Sequence, residues 1–237
     1  MRNRSVVLIV ALAGISVFVP SAAAQTASST ADISGVWLGD GVGNNRNLLL
    51  QAAPMQPWVK AKFNAKGVAI DPDPFLADCE PLSVPRVLLS NTPIKFVQTP
   101  GEVIAIYERN HDVREIYTDG RDHPKDMDPS WWGHSVGKWD GNTFVVDTVG
   151  FNDQTWLDYS GLPHTDALHV IERYTRVDHD TMRLDLTIDD PKAYTMPFTV
   201  KRMFKLKSWN IGEDICSIPS EKHFEQGISG PATAPGK

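Results

Sequence analysis

The sequence predicts an all-β protein, an antiparallel up-and-down or strongly curled barrel with one short N-terminal helix. Two observations carry that expectation. Apolar and polar residues alternate with a period of two through most of the chain after residue 93, as in Met182, Leu184, Leu186 and Ile188 set against Arg183, Asp185 and Thr187. Tight-turn signals divide the runs at Pro100-Gly101, Asn110-His111-Asp112, Asp140-Gly141-Asn142 and Asp178-His179-Asp180.

The elements follow in chain order. Arg2 and Arg4, an apolar run from Val6 to Val19 and the small residues Ser21 to Ala24 form a secretory signal peptide over 1–24. The alternative is a membrane anchor, but the run is short for a span and no stop-transfer pattern follows. Residues 25–31 are a polar tail, 32–220 a single barrel domain and 221–237 a flexible C-terminal tail. Strands are expected near 34–39, 94–99, 102–108, 113–118, 135–139, 143–149, 168–177, 182–188, 198–207 and 211–216. A helix is expected from about Pro54 to Lys66, with Gly67 to stop it. The proline-rich stretch from Asp71 to Pro93 reads as an irregular strap over the sheet.

A meander alternates its connections between two ends. The tight turns at 109–112, 140–142 and 178–181 then share one end, and the long connections 119–134, 150–167 and 189–197 converge on the other as a mouth. Four of the seven tryptophans and three of the seven histidines lie between Asp119 and Ala167, which points to the mouth as the functional region.

The full chain carries a net charge of −6, and removing the leader takes away two arginines and no acids, giving 21 − 29 = −8 for the mature protein. That charge disfavours nucleic acid and anionic membranes as partners. A small-molecule partner and no membrane span after cleavage are expected. The two cysteines, Cys79 and Cys216, lie far apart and lack zinc-site spacing, so in an exported protein they read as a disulfide.

Gly133-His134-Ser135-Val136-Gly137 fits the G-x-S-x-G pattern of a nucleophilic serine. The pattern requires a strand before the serine and a helix after it, whereas here a hairpin follows. Histidine and carboxylate chemistry is the stronger expectation: His164 as a general base, Asp158 orienting it, and Asp119 or Arg121 binding or polarising the substrate. The bland alternative for His164 is a residue that caps a turn. Trp131, Trp132, His134, Trp156, Tyr159 and Tyr194, with Glu172 and Arg173, are expected to line a substrate pocket, or else to plug the barrel end and brace its loops. No cofactor is predicted. A divalent metal is the open alternative, through His123, His134 and His169 together with His164 and nearby aspartates, with calcium in the acidic loops a lesser variant.

Two resemblances add to this. Ile33-Ser34-Gly35-Val36-Trp37 resembles the Gly-x-Trp start of lipocalin-like barrels, implying a tryptophan packed beneath the barrel floor. Asp119-Gly120-Arg121, Trp131, Gly133 to Gly141, Gly150 to Asp158 and His164 to Arg173 resemble the motifs DGR-x-x-P-x-D, G-x-S-x-G-x-W-x-G, GFND-x-TWLD and PH-[ST]-x-AL of an uncharacterised family of exported bacterial proteins. That likeness spans roughly Asp78 to Cys216 and implies a shared design. The functional expectation is a periplasmic or secreted enzyme using cofactor-free acid–base chemistry of the lyase, isomerase or hydratase type on an apolar or aromatic substrate. The alternatives are a lipocalin-like binding protein without catalysis and a structural envelope protein.

Overall fold

A computed structural model describes residues 32–41, 48–66 and 79–216. The leader, both tails, Gly67 and residues 71–78 of the strap lie outside the described residues. Nine strands form a closed barrel in chain order: β1 Gly35–Gly39, β2 Ile94–Thr99, β3 Glu102–Tyr107, β4 Val113–Tyr117, β5 His134–Asp140, β6 Thr143–Val149, β7 His169–Arg176, β8 Thr181–Asp189 and β9 Phe198–Lys207. The helix is present as α2, Pro57–Lys66, preceded by a short α1, Leu48–Ala52, that the sequence pattern does not announce. It starts after residue 54 because Met55 is drawn into a bridge with Tyr194.

The expected tenth strand, 211–216, does not join the barrel. It runs beside the β3–β4 turn, touching it through an isolated Arg109–Asp214 bridge and the bonds from Asn110 N–H to the Asp214 carbonyl and Gly212 N–H to Glu108. This has a topological consequence. A ring of nine strands cannot alternate direction throughout, so one neighbouring pair must run parallel. That pair is β4 and β5, which share only two register positions, Ile116 with Ser135 and Tyr117 with Val136.

The three long connections therefore do not all converge on one end, as the expected alternation required. The segment 118–133 is a crossover that leaves β4 at one end and enters β5 at the other. It begins where Thr118 N–H donates to the Gly101 carbonyl, beside the β2–β3 turn. The loops 150–168 and 190–197 do share a mouth, but the turn at 108–112 lies at that same end, and Asp119 and Arg121 lie at the opposite one.

Alternation along the strands sends Trp37, Phe96, Tyr107, Phe144, Tyr174 and Phe204 inward, all fully buried. Trp37 donates its indole N–H to the Ile33 carbonyl at 2.8 Å and carries the Arg176 guanidinium over its ring. Gly137 is required by packing, since a Cβ there would meet the Phe144 ring at 2.6 Å. The strap is not draped over the sheet. Its described half, with a 3-10 turn at Arg86–Leu89, is drawn into the core, where Leu82, Val84, Val87, Leu88 and Leu89 are all buried.

A charged network sits inside this apolar filling. Arg114 of β4 reaches across the parallel seam, donating from Nε to Ser135 Oγ of β5 at 2.9 Å and from Nη2 to Thr148 Oγ1 of β6 at 2.6 Å. It clamps Glu172 of β7 with both Nη atoms, at 2.7 and 3.1 Å. Tyr174 donates its hydroxyl to the same carboxylate at 2.6 Å. Burial alone would depress the guanidinium's pKa, but Glu172 and the tyrosines beside it outweigh that and hold it fully charged. Ser135 is consumed here as a buried acceptor, so the G-x-S-x-G serine is no nucleophile. Glu172, expected at the substrate site, is an internal counter-ion, and its neighbour Arg173 points outward to an exposed pair with Asp140.

The disulfide is formed: Cys79 and Cys216 join the strap to the segment beyond β9 across 137 residues of sequence. Removing Glu172 alone should leave a buried cation and cost about 3–5 kcal/mol in urea unfolding of Glu172→Leu. Arg114→Met combined with Glu172→Leu should recover most of that loss. A double variant no better than the single one would show that the network, and not merely charge balance, holds the seam.

Candidate functional site

The loop from Gly150 to Leu168 builds the mouth, and buried carboxylates shape it. Asp158 Oδ1 accepts hydrogen bonds from Ser160 N–H at 2.9 Å, the Ser160 hydroxyl at 2.5 Å and Leu162 N–H at 3.4 Å. Burial pushes its carboxyl pKa up, and these donors pull the other way. Asp158 is thus an Asx-turn brace for residues 158–162. It is not the orienting partner expected for His164.

His164 has a different environment. Its Nδ1 lies 3.1 Å from the Thr165 carbonyl, which can only accept, so Nδ1 carries the proton. Its Nε2, 2.7 Å from Thr155 Oγ1, then accepts the threonine hydroxyl. The ring is 5 % exposed, and burial lowers its pKa, opposed by the Thr165 carbonyl and the charges of Asp190 and Asp153. A neutral imidazole with a defined tautomer results.

The carboxylate that holds this loop is Asp190, which sequence reasoning did not single out. It accepts from Thr165 N–H at 2.7 Å and the Thr165 hydroxyl at 2.9 Å, and also from the backbone N–H groups of Lys192 and Ala193. Asp190 thereby ties the His164 loop to the β8–β9 connection. Its position just before Pro191 in a turn was the available signal.

His164 and Thr155 line a pocket of about 500 Å³ together with Trp58, Lys62, Trp156, Asp153 and Asp166. Of the aromatic residues expected to wall it, only Trp156 does so. Trp132 stacks on Tyr107 with centroids 5.0 Å apart, and the Trp131 carbonyl accepts the Ser83 hydroxyl. Tyr194 donates its hydroxyl to the Pro163 carbonyl at 2.7 Å. Tyr159 covers the buried Arg86 guanidinium at 4.6 Å, with Trp156 at 5.4 Å. These four close the barrel end as a plug. Trp58 of α2 was missed because nothing in its local sequence places that helix at the mouth. It is fastened there by its indole N–H donating to the Lys192 carbonyl.

The remaining candidates gather elsewhere, on the outer wall. Alternation turns His134, Asp147 and His169 outward from β5, β6 and β7, and the crossover lays His123 over them. His169 Nε2 and His123 Nε2 approach the same Asp147 Oδ1 at 2.8 and 3.2 Å. His123 Nδ1 meets His134 Nδ1 at 2.9 Å. Burial, then the neighbouring His123 and Arg121, lower the His134 pKa. Arg121 pairs with Asp119 on the surface and lies over the Tyr117 ring at 3.9 Å, and Tyr117 in turn packs against His134. Asp119 and Arg121 therefore belong to this wall, not to the His164 mouth. Among the described residues no three His, Cys, Asp or Glu side chains already converge as a ligand set. His164 stands apart from the wall group.

No protein-family model matches the chain, and no curated protein matches it. The functional reading therefore rests on the two sites themselves.

The His164 geometry has a titration consequence. Its pKa in the folded protein lies below the unfolded value of about 6.5, so the unfolded chain takes up this proton first as pH falls. The group's contribution is complete above about pH 6.5 and is lost as pH drops towards the folded pKa. His164→Gln should flatten this part of the stability–pH curve measured by urea unfolding. An unchanged slope would contradict a buried neutral imidazole at 164.

Proposed function

We propose that this chain is an exported small-molecule-binding protein whose ligand sits at the mouth pocket and not inside the barrel. The observation that carries the reading is the pairing of a packed interior with an open, polar pocket at one end. Aromatic and aliphatic side chains fill the barrel lumen around the Arg114 network, leaving the ligand volume outside, beside Trp58 and Trp156. Two indole faces next to carboxylate, amide, hydroxyl and imidazole groups suit a ring-shaped molecule with hydroxyl groups, such as a carbohydrate or glycoside, better than a wholly apolar one. Export is supported by the leader pattern at 1–24 and by the Cys79–Cys216 disulfide. No helix among the described residues is long and apolar enough to cross a membrane.

A second reading, acid–base catalysis at the same pocket, is favoured by one observation. His164 Nε2 holds the Thr155 hydroxyl at 2.7 Å on the pocket wall, and burial keeps the ring neutral and basic. In that reading Thr155 or a substrate hydroxyl gives its proton to Nε2, and the Thr165 carbonyl steadies the imidazolium. Among the described residues no carboxylate hydrogen-bonds the ring: Asp158 is committed to its turn, and Asp190 bonds Thr165 and acts on the ring only through its charge. Binding is therefore the leading function.

Thermal-shift measurements with mono- and disaccharides, glycosides, phenolics and terpenoids separate the two. A ligand at about 100 times its Kd should stabilise the protein by about 2.7 kcal/mol. Trp156→Ala should abolish the shift, and His164→Ala should weaken it while leaving the compound chemically unchanged in product analysis. Turnover lost in His164→Ala would make the catalytic reading the correct one. Absence of any shift across the panel would overturn both.

A further inference from the structure

The outer wall carries a second group of chemistry-bearing side chains that the mouth pocket does not use. His123, His134, Asp147 and His169 come from four different segments, the crossover and three adjacent strands, and form one connected chain of contacts. Such a grouping is more than surface decoration. The histidine side chains of 123 and 169 are 23 % and 32 % exposed and Asp147 is 41 % exposed, so the cluster is partly shielded yet reachable.

We propose that His123, His169 and Asp147 form a site for one zinc-class divalent cation on the outside of the barrel, with His134 as the residue that positions His123. Two imidazole nitrogens and one carboxylate are the donors such cations take, and three protein ligands leave a coordination position open for water. As the side chains stand, the donors are joined by hydrogen bonds and do not yet converge. Two ligands of a tetrahedral zinc at about 2.0–2.1 Å from the metal lie about 3.3 Å apart, and the nitrogens already stand 2.8 and 3.2 Å from the shared oxygen. Ligation replaces these hydrogen bonds, with the half-exposed rings rotating until both nitrogens and the oxygen face one point.

The proton positions are consistent with this. In the hydrogen-bonded chain both Nε2 atoms donate to Asp147. Ligation requires them bare, so each ring moves its proton to Nδ1. For His123 that proton then points at His134 Nδ1, 2.9 Å away, which must accept it. The Tyr117 ring packed against His134 helps to hold its imidazole in place for this contact. This is the outer contact that metal-bound histidines commonly make through their second nitrogen. Asp119 compensates the charge of Arg121 at the edge of the wall, and the Tyr117 ring separates Arg121 from the strand. The site is independent of the mouth pocket, and its failure would leave the reading of that pocket untouched.

The test uses the full mature protein, stripped with a chelator and titrated with zinc in competition with a chromophoric chelator, and with cobalt(II) read by its visible absorption. A single saturable site is expected, with a cobalt spectrum of low coordination number. His169→Gln and Asp147→Asn, whose outward side chains leave the core intact, should abolish it while near-ultraviolet circular dichroism stays native. His134→Ala should weaken zinc by roughly tenfold to a hundredfold and alter the cobalt spectrum, and His134→Asn, which restores an acceptor, should recover part of both. His179→Ala, on an exposed turn far along the chain, should change nothing. Absence of saturable binding, or equal binding in the wild type, His169→Gln and Asp147→Asn, would overturn the site.

Discussion

The contact on which the rest of the barrel depends is the internal clamp between Arg114 and Glu172. A nine-stranded ring must contain one parallel pair, and here that pair is short, two register positions long. Arg114 spans it from inside, binding Ser135 on the far strand, Thr148 on the next and Glu172 on the one beyond. An isolated charge in this position would be very costly. Because Arg114 donates to Ser135, Thr148 and both oxygens of Glu172, the same burial that penalises the charge makes these contacts strong and directional. The seam is thus held by polar chemistry where the backbone ladder is weakest.

That solution decides where a ligand can go. The clamp and the aromatic residues around it occupy the lumen, and the strap from Cys79 onward enters the mouth end and is sealed by Trp131, Trp132, Tyr159 and Tyr194. Among the described residues the lumen is filled by buried side chains, unlike the open calyx of a lipocalin, despite the Gly-x-Trp start. The open pocket lies outside the lumen, on the shelf between α2 and the 150–168 loop. Asp190 and Asp158 hold that shelf by capping backbone N–H groups, a structural use of carboxylates in a place where sequence suggests catalysis.

The crossover imposed by the parallel pair also creates the wall cluster. A hairpin between β4 and β5 would have kept His123 at the barrel end. Because β4 and β5 run parallel, the chain must double back outside the barrel to begin β5, and this brings His123 onto His134 and Asp147. The histidines of the motif-rich region therefore divide into two groups with different surroundings: one buried ring at the mouth and three partly shielded rings on the wall.

Strand existence and facing were legible in the chain because alternation has a period that only a half-buried strand explains, and the hairpins at Asp140-Gly141-Asn142 and Asp178-His179-Asp180 mark their own turns. The disulfide was legible from compartment and count. The roles of individual residues were not. Glu172 and Arg173 are adjacent in sequence, yet one is a buried counter-ion and the other a surface pair, because successive strand residues face opposite sides of the wall. Local sequence thus determined the barrel and its loops. Only the tertiary structure decided that residues 211–216 stay outside the ring, and from the resulting odd strand count followed the parallel seam, the crossover and the separation of His164 from the other histidines. Strand number and closure are properties of the whole ring, and no local pattern encodes them.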